Sequence, residues 1–220
     1  MICLVTDRRR LSNGEDAIDR LVELVAAAAR AGIDLAQVRE RDLDARALTA
    51  LVARCVSAVR GTRTQVVVND RADVALAAGA HGVHLRADSV GASSARVLVG
   101  DTATIGRSVH RRDETAAAAQ AGGVDYLIFG PLHQTRSKDA GHRVVTIDEL
   151  RETCRAAVGI PVLAIGGMTV ERAADAARAG ASGIAGIGLF VPPAGESADK
   201  HVQMIAAGLR RAFDTCEAVS

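Results

Sequence analysis

The stretch "IPVLAIGGMTVERAADAARAGASGIAGIG", residues 160–188, decides the fold. Its opening, "IPVLAIGG", is a short apolar run ending in two glycines. "TVERAADAARAG" (169–180) then spaces small apolar residues at helical intervals. It closes on Gly180, a residue type that tolerates the left-handed conformation wanted at a helix C-terminus. "ASGIAGIG" (181–188) is again short, apolar and glycine-ended. Strand, helix and strand in that order are the unit of a parallel sheet with crossover helices.

The same alternation extends over the whole chain. Further strand candidates are "ICLVTD" from Ile2, "IDLAQVR" from Ile33, "QVVVND" from Gln65, "GVHL" from Gly82, "ATIGRS" from Ala103 and "VDYLIFG" from Val124, which makes eight in all. Helical patterns occupy 16–32, 44–60, 112–122 and 146–158, with Gly32 and Gly122 closing two of them; the weakest cover 71–79 and 92–99. Eight βα units in 220 residues predict a single (β/α)8 TIM barrel over 1–220, with 191–220 as final helix and tail. A doubly wound open sheet is the alternative, because strand number alone does not prove closure.

Composition narrows the partners. Hydrophobic residues make up 49 % of the chain and aromatic ones 2 %, so the core is built from Val, Leu, Ile and Ala. A net charge of +1 gives no field that argues for nucleic acid or a membrane surface. Only Met1–Val5 precede Asp7 and the Arg8, Arg9, Arg10 run, too short an apolar segment for a signal peptide or a span, and a cytoplasmic protein is expected. Cys3, Cys55, Cys154 and Cys216 form no metal or disulfide pattern and read as packed thiols. A homo-oligomer is compatible with this sequence but not required by it.

In a barrel the strand C-termini converge on one mouth. "QVRERD" places Gln37, Arg39 and Arg41 on one face, where the planar guanidinium forks suit phosphate or carboxylate; a surface salt-bridge cluster with Glu40 and Asp42 is the competing reading. Asn69 and Asp70 can orient a substrate or offer oxygen to a hard cation, although Asp-Arg at a helix start also reads as a cap. Arg86 and Asp88 end strand four. "GRSVH" supplies Arg107, Ser108 and His110, with Ser108 and His110 sharing a face and His110 able to move protons near neutrality, unless it only caps a helix. His84, within strand four, reads as structural. After strand six, Thr135, Ser137 and Lys138 form a loop able to close over a phosphorylated ligand, flanked by His133 and His142 without a metal spacing. Gly166, Gly167, Ile187 and Gly188 present backbone amides to an anion, or else only relieve tight turns.

Taken in order, "LVTD", "QVRERD", "VNDRADVALAAGAHGVHL", "IGRSVH", "DYLIFGP" with "TRSK", "IPVLAIGGM" and "GASGIAGIGLF" resemble the thiamine-phosphate synthase and thiazole tautomerase superfamily, from about Ile2 to Phe190. The resemblance implies a shared barrel and phosphate site with two chemistries. The synthase joins a pyrimidine diphosphate to a thiazole phosphate, with Mg²⁺ on two carboxylates neutralising the leaving pyrophosphate. The tautomerase shifts a proton on a thiazole carboxylate phosphate, needs no metal, and would use His110 as general acid/base.

Asp70 matches the first synthase carboxylate, but Ser89 falls at the second, and Arg86 and Ala87 replace the usual Gly-Gln. Asp88 stands one residue early, on the other side of the alternation. Arg107 and "AIGGMT" resemble the tautomerase branch, whereas "TRSK" keeps the synthase pattern. Gly188 stands where many relatives have Ser. The resulting expectation is a metal-free isomerase of the thiazole tautomerase type acting on a small phosphorylated thiazole. The alternatives are a transferase, thiamine-phosphate synthase, with Mg²⁺ on Asp70 and Asp88, and a non-catalytic thiazole-phosphate or thiamine-phosphate binding regulator.

Overall fold

Each of the eight apolar runs forms a strand, and each strand is followed by one α-helix, with a short 3-10 turn intervening after the first and the last. The computed structural model describes residues 1–134 and 143–217. The strands are β1 Ile2–Val5, β2 Leu35–Val38, β3 Gln65–Asn69, β4 Gly82–Leu85, β5 Thr104–Val109, β6 Tyr126–Phe129, β7 Val162–Ala164 and β8 Gly183–Gly186. The helices are α1 Ala17–Arg30, α2 Ala45–Ala58, α3 Ala72–Ala78, α4 Ala92–Val99, α5 Arg112–Ala121, α6 Ile147–Ala156, α7 Val170–Arg178 and α8 Ala198–Glu217. A short 3-10 turn, Arg8–Arg10, stands between β1 and α1, and another, Gly188–Phe190, follows β8.

All neighbouring strands pair in parallel and in chain order, and β1 closes on β8, with Cys3 opposite both Leu35 and Ala185. The closed (β/α)8 barrel is therefore the architecture, and the open sheet is excluded. Strand alternation sorts the side chains into two cores. Cys3, Val5, Leu35, Val67, Tyr126, Ile128, Leu163 and Ala185 fill the barrel interior. The opposite faces, including Leu4, Ala36, Val66 and Val68, pack under Leu21, Val25, Leu51 and Val52 of the helical layer.

Local chemistry agrees with the helix boundaries. The Asp44 side chain accepts from the Ala47 amide at the start of α2, and Thr146 with Glu149 forms a capping box on α6. Gly32, Gly122 and Gly180 have φ of 72°, 68° and 95°, as chain reversals after helices require. The two weak patterns do form helices, but thin ones. Helix α4 buries only Ala92 and Ala95 and leaves Val97 85 % exposed.

Two details position the site. Strand β5 begins at Thr104 and runs on to Val109, so the inward set there is Gly106 and Ser108 while Arg107 faces outward. Gly106 lies opposite Tyr126, and a Cβ at 106 would stand 2.1 Å from the Tyr126 ring. The barrel's largest interior side chain thus rests on the one residue type that leaves it room. Among the described residues no helix is long and apolar enough to cross a membrane.

Candidate active site

The strand C-termini open into a chamber of about 1070 Å³. Single small-molecule sites usually occupy about 300–1,000 Å³, so there is space here for two modest substrates side by side. Its apolar wall includes Val5, Ile128, Ile165 and Met168. Polar groups enter from three directions.

From β2, Gln37, Arg39 and Arg41 all reach the chamber, as the alternation predicts. Buried Gln37 donates through Nε2 to Asn69 Oδ1 at 3.0 Å, joining β2 to β3 across the mouth. Burial, and then the neighbouring Arg41, pull the Arg39 guanidinium below its ordinary pKa, against the opposing influence of Asp7 and Glu40. The salt-bridge cluster with Glu40 and Asp42 does exist, but its cations are different ones. Arg8 Nη1 reaches Glu40 at 2.9 Å, and Arg9 Nη2 reaches Asp42 at 2.9 Å. Buried Glu40 also accepts from Thr6 Oγ1 at 2.7 Å, and Thr6 Oγ1 accepts from the Arg39 amide at 3.0 Å. That network fixes the start of the Arg39 loop through the Arg39 backbone amide.

From β4 and β5 come His84, Ser108 and His110. His84 is fully enclosed, with Nδ1 3.0 Å from the Tyr126 hydroxyl and Nε2 2.9 Å from Ser108 Oγ. Burial, with a smaller contribution from Arg107, pushes its pKa down to about 3, and burial also raises that of Tyr126. This chain is therefore neutral at physiological pH and forms a polar but uncharged floor. The structural reading of His84 holds, with the addition that the ring lines the chamber. His110 also lines it, and its Nδ1 donates to the Gly130 carbonyl at 2.8 Å, which turns Nε2 into the ring's acceptor nitrogen.

Arg107 does not join them. Facing outward, it donates to the carbonyls of Val90 at 2.9 Å and Ala87 at 2.8 Å, so it fastens the β4–α4 loop instead of meeting a ligand. Asp70 also stands outside the chamber wall. Its φ is 58°, and its carboxylate accepts from the Ser89 hydroxyl. Arg86 and Asp88 do line the mouth, paired at 2.5 Å.

From β7 and β8, Gly166, Gly167, Ile187 and Gly188 line the opposite arc. Packing accounts for the first two of these glycines. A Cβ on Gly166 would lie 2.5 Å from Pro131, and one on Gly167 would lie 2.7 Å from His133, so close packing of the β6–α6 loop already demands glycine there. At Gly188 the nearest obstacle is a guanidinium: Arg10 Nη1, 3.2 Å from where a Cβ would stand.

Arg10 was not singled out by the sequence reading. The 3-10 turn sends Arg8 and Arg9 to Glu40 and Asp42 but turns Arg10 into the chamber, its Nε donating to Asp7 Oδ2 at 3.1 Å. His201 of α8 was also missed. It lines the chamber and donates from Nε2 to the Leu189 carbonyl at 3.1 Å, bracing the turn after β8. Thr135, Ser137, Lys138 and His142 lie outside the described residues.

A family model described as thiamine monophosphate synthase matches residues 2–190. The chain belongs to the thiamine monophosphate synthase family. A thiamine-phosphate synthase of Roseiflexus castenholzii is 37 % identical over 208 residues, covering 94 % of this chain and 88 % of that protein. One from Azorhizobium caulinodans is 35 % identical over 182 residues, covering 83 % and 82 %. Among solved structures, a thiamine phosphate pyrophosphorylase from Pyrococcus furiosus superposes with a TM-score of 0.79 at 28 % identity, covering 98 % of this chain and 96 % of that one.

These relatives overturn the expectation of a thiazole tautomerase. The features that pointed that way were Arg107, which the fold uses to hold a loop, the "AIGGMT" segment, and the changed residues of the β4–α4 loop itself. Membership in the synthase family raises the question of a divalent ion. The residues present do not form the expected pair of carboxylates. Ser89 occupies the second position and is bonded to the first, Asp70, while Asp88 is engaged by Arg86. Among the described residues no three His, Cys, Asp or Glu side chains gather to hold a metal.

Proposed function

We propose that this chain is a thiamine-phosphate synthase, a transferase that joins a pyrimidine diphosphate to a thiazole phosphate. The observation that carries the reading is a single chamber with anion-seeking groups on two different arcs of its rim. Arg39 and Arg41 stand after β2, and Arg10 stands with the glycine turns after β7 and β8. Two phosphorylated substrates need two such sites.

The reaction is a displacement. The thiazole nitrogen gives its lone pair to the carbon that carries the diphosphate, a C–N bond forms, the C–O bond breaks, and inorganic pyrophosphate leaves with the bonding electrons. Catalysis then rests on holding the partners in line and stabilising the departing charge. Arg39 and Arg41 grip the diphosphate, and the Gln37–Asn69 amide pair positions the pyrimidine. The turns at Gly166, Gly167, Ile187 and Gly188, with Arg10, take the thiazole phosphate. Ile128, Ile165 and Met168 keep water from the electrophilic carbon. No proton moves on the thiazole, so the acid/base role expected of His110 has no step to serve, and its oriented ring acts as a polar wall. The reading carries a cytoplasmic location and no nucleic-acid or membrane partner.

The test is to supply both substrates to the purified chain, with and without Mg²⁺, and separate the products chromatographically. Thiamine phosphate and pyrophosphate should appear in equal amounts. Failure to form the coupled product under either condition contradicts the assignment.

A further inference from the structure

The β4–α4 loop departs from the family pattern at Arg86, Ala87 and Ser89, and these departures fit one another. Arg86 continues the inward alternation of Gly82 and His84, so its guanidinium stands at the rim of the chamber. There Nη2 donates to Asp88 Oδ2 at 2.5 Å, and Nη1 faces Asp70 Oδ2 at 3.8 Å. The Arg86 amide donates to Ser89 Oγ at 2.9 Å, and the Ser89 hydroxyl donates to Asp70 Oδ1. One Asp70 oxygen is thus occupied by a hydroxyl and the other looks at a fixed positive charge.

Relative to the family pattern, Ser89 removes one negative charge and Arg86 adds one positive charge, a change of two units that equals the charge of a divalent ion; Asp88 is a further acid, paired with Arg86. Any cation entering between Asp70 and Asp88 would meet a guanidinium already there. Arg107, with its hydrogen bonds to Ala87 and Val90, holds this arrangement from outside.

We propose that Arg86 is a resident counter-charge for the diphosphate, taking over on this chain the part of a divalent ion. The proposal rests on the synthase reading for the identity of the anion. When the diphosphate enters, Arg86 exchanges its solvent-exposed partner Asp88 for phosphate oxygens, which its planar fork matches in geometry. Asp70 stays behind to keep the guanidinium at the rim. The bond-making step is unchanged: the electron pair of the breaking C–O bond passes to pyrophosphate, and Arg86 with Arg39 and Arg41 meets the charge that develops.

Inorganic pyrophosphate is the probe, titrated calorimetrically into metal-stripped protein in EDTA and again in excess Mg²⁺. Wild type should bind it in EDTA with an affinity within about threefold of that in Mg²⁺. Arg86→Ala should bind about 10- to 100-fold more weakly in EDTA, the usual consequence of losing a charge-assisted hydrogen bond. The paired change Arg86→Gly with Ser89→Asp should restore a two-carboxylate site, seen as Mn²⁺ binding by electron paramagnetic resonance that wild type lacks. Pyrophosphate binding by wild type only when Mg²⁺ is present, or unaltered binding in a folded Arg86→Ala, would overturn the proposal. Pyrophosphate results as expected, with no thiamine phosphate formed under any condition, would sink the synthase reading and leave the counter-charge in place.

Discussion

At the level of single residues, position in a strand says which way a side chain points but not what it meets. Gln37, Arg39, Arg41, Ser108 and His110 were legible as mouth residues because alternate residues share a face, and all five line the chamber. Arg107 was misplaced for the same reason: it occupies the outward position between Gly106 and Ser108, and only the folded loop reveals the carbonyls it serves. Arg10 was illegible because three consecutive arginines carry no periodicity, and the 3-10 turn sends Arg8 and Arg9 to Asp42 but Arg10 to Asp7.

His84 gives a residue-scale prediction. Its pKa in the fold, about 3, lies below the ordinary value of 6.5, so as pH falls the unfolded chain takes up the proton first. The stability it contributes is complete above about pH 6.5 and declines toward pH 3. Urea unfolding should therefore show a lower midpoint at pH 5 than at pH 7 in wild type. His84→Gln should narrow that difference while lowering stability at pH 7. An equal pH effect in both proteins would mean that His84 is not held neutral by burial.

Among the elements, the strands were read nearly to their ends, because eight apolar runs separated by glycine and charged turns leave few other arrangements. The helices at 71–79 and 92–99 gave a weak pattern for a physical reason: α3 and α4 bury little beyond alanines and one valine, so their apolar stripes are narrow. The contact between β5 and β6 was not legible. Nothing in "ATIGRS" announces that Gly106 makes room for Tyr126, which lies beyond α5 in the chain and adjacent in the sheet. Gly106→Ala should destabilise the barrel by about 1–3 kcal/mol, as inserted core volume generally does, and should also move Tyr126 away from His84. Denaturant unfolding measures the first effect. A variant as stable as wild type would mean that the ring does not fill that space.

At the scale of the molecule, the barrel was legible from repetition alone, whereas the branch of chemistry was not. One short loop, 86–89, carried most of the signal that favoured an isomerase, while similarity spread over residues 2–190 carried the family. The central claim is that one chamber holds two phosphorylated ligands at once, on different arcs of its rim. The direct test is equilibrium titration of a thiazole phosphate into protein saturated with a non-hydrolysable methylene analogue of the pyrimidine diphosphate. The account predicts one of each ligand per chain, with Arg39→Ala weakening only the diphosphate analogue and Arg10→Ala only the thiazole phosphate, each by about 10- to 100-fold. Mutual exclusion of the two ligands would contradict it.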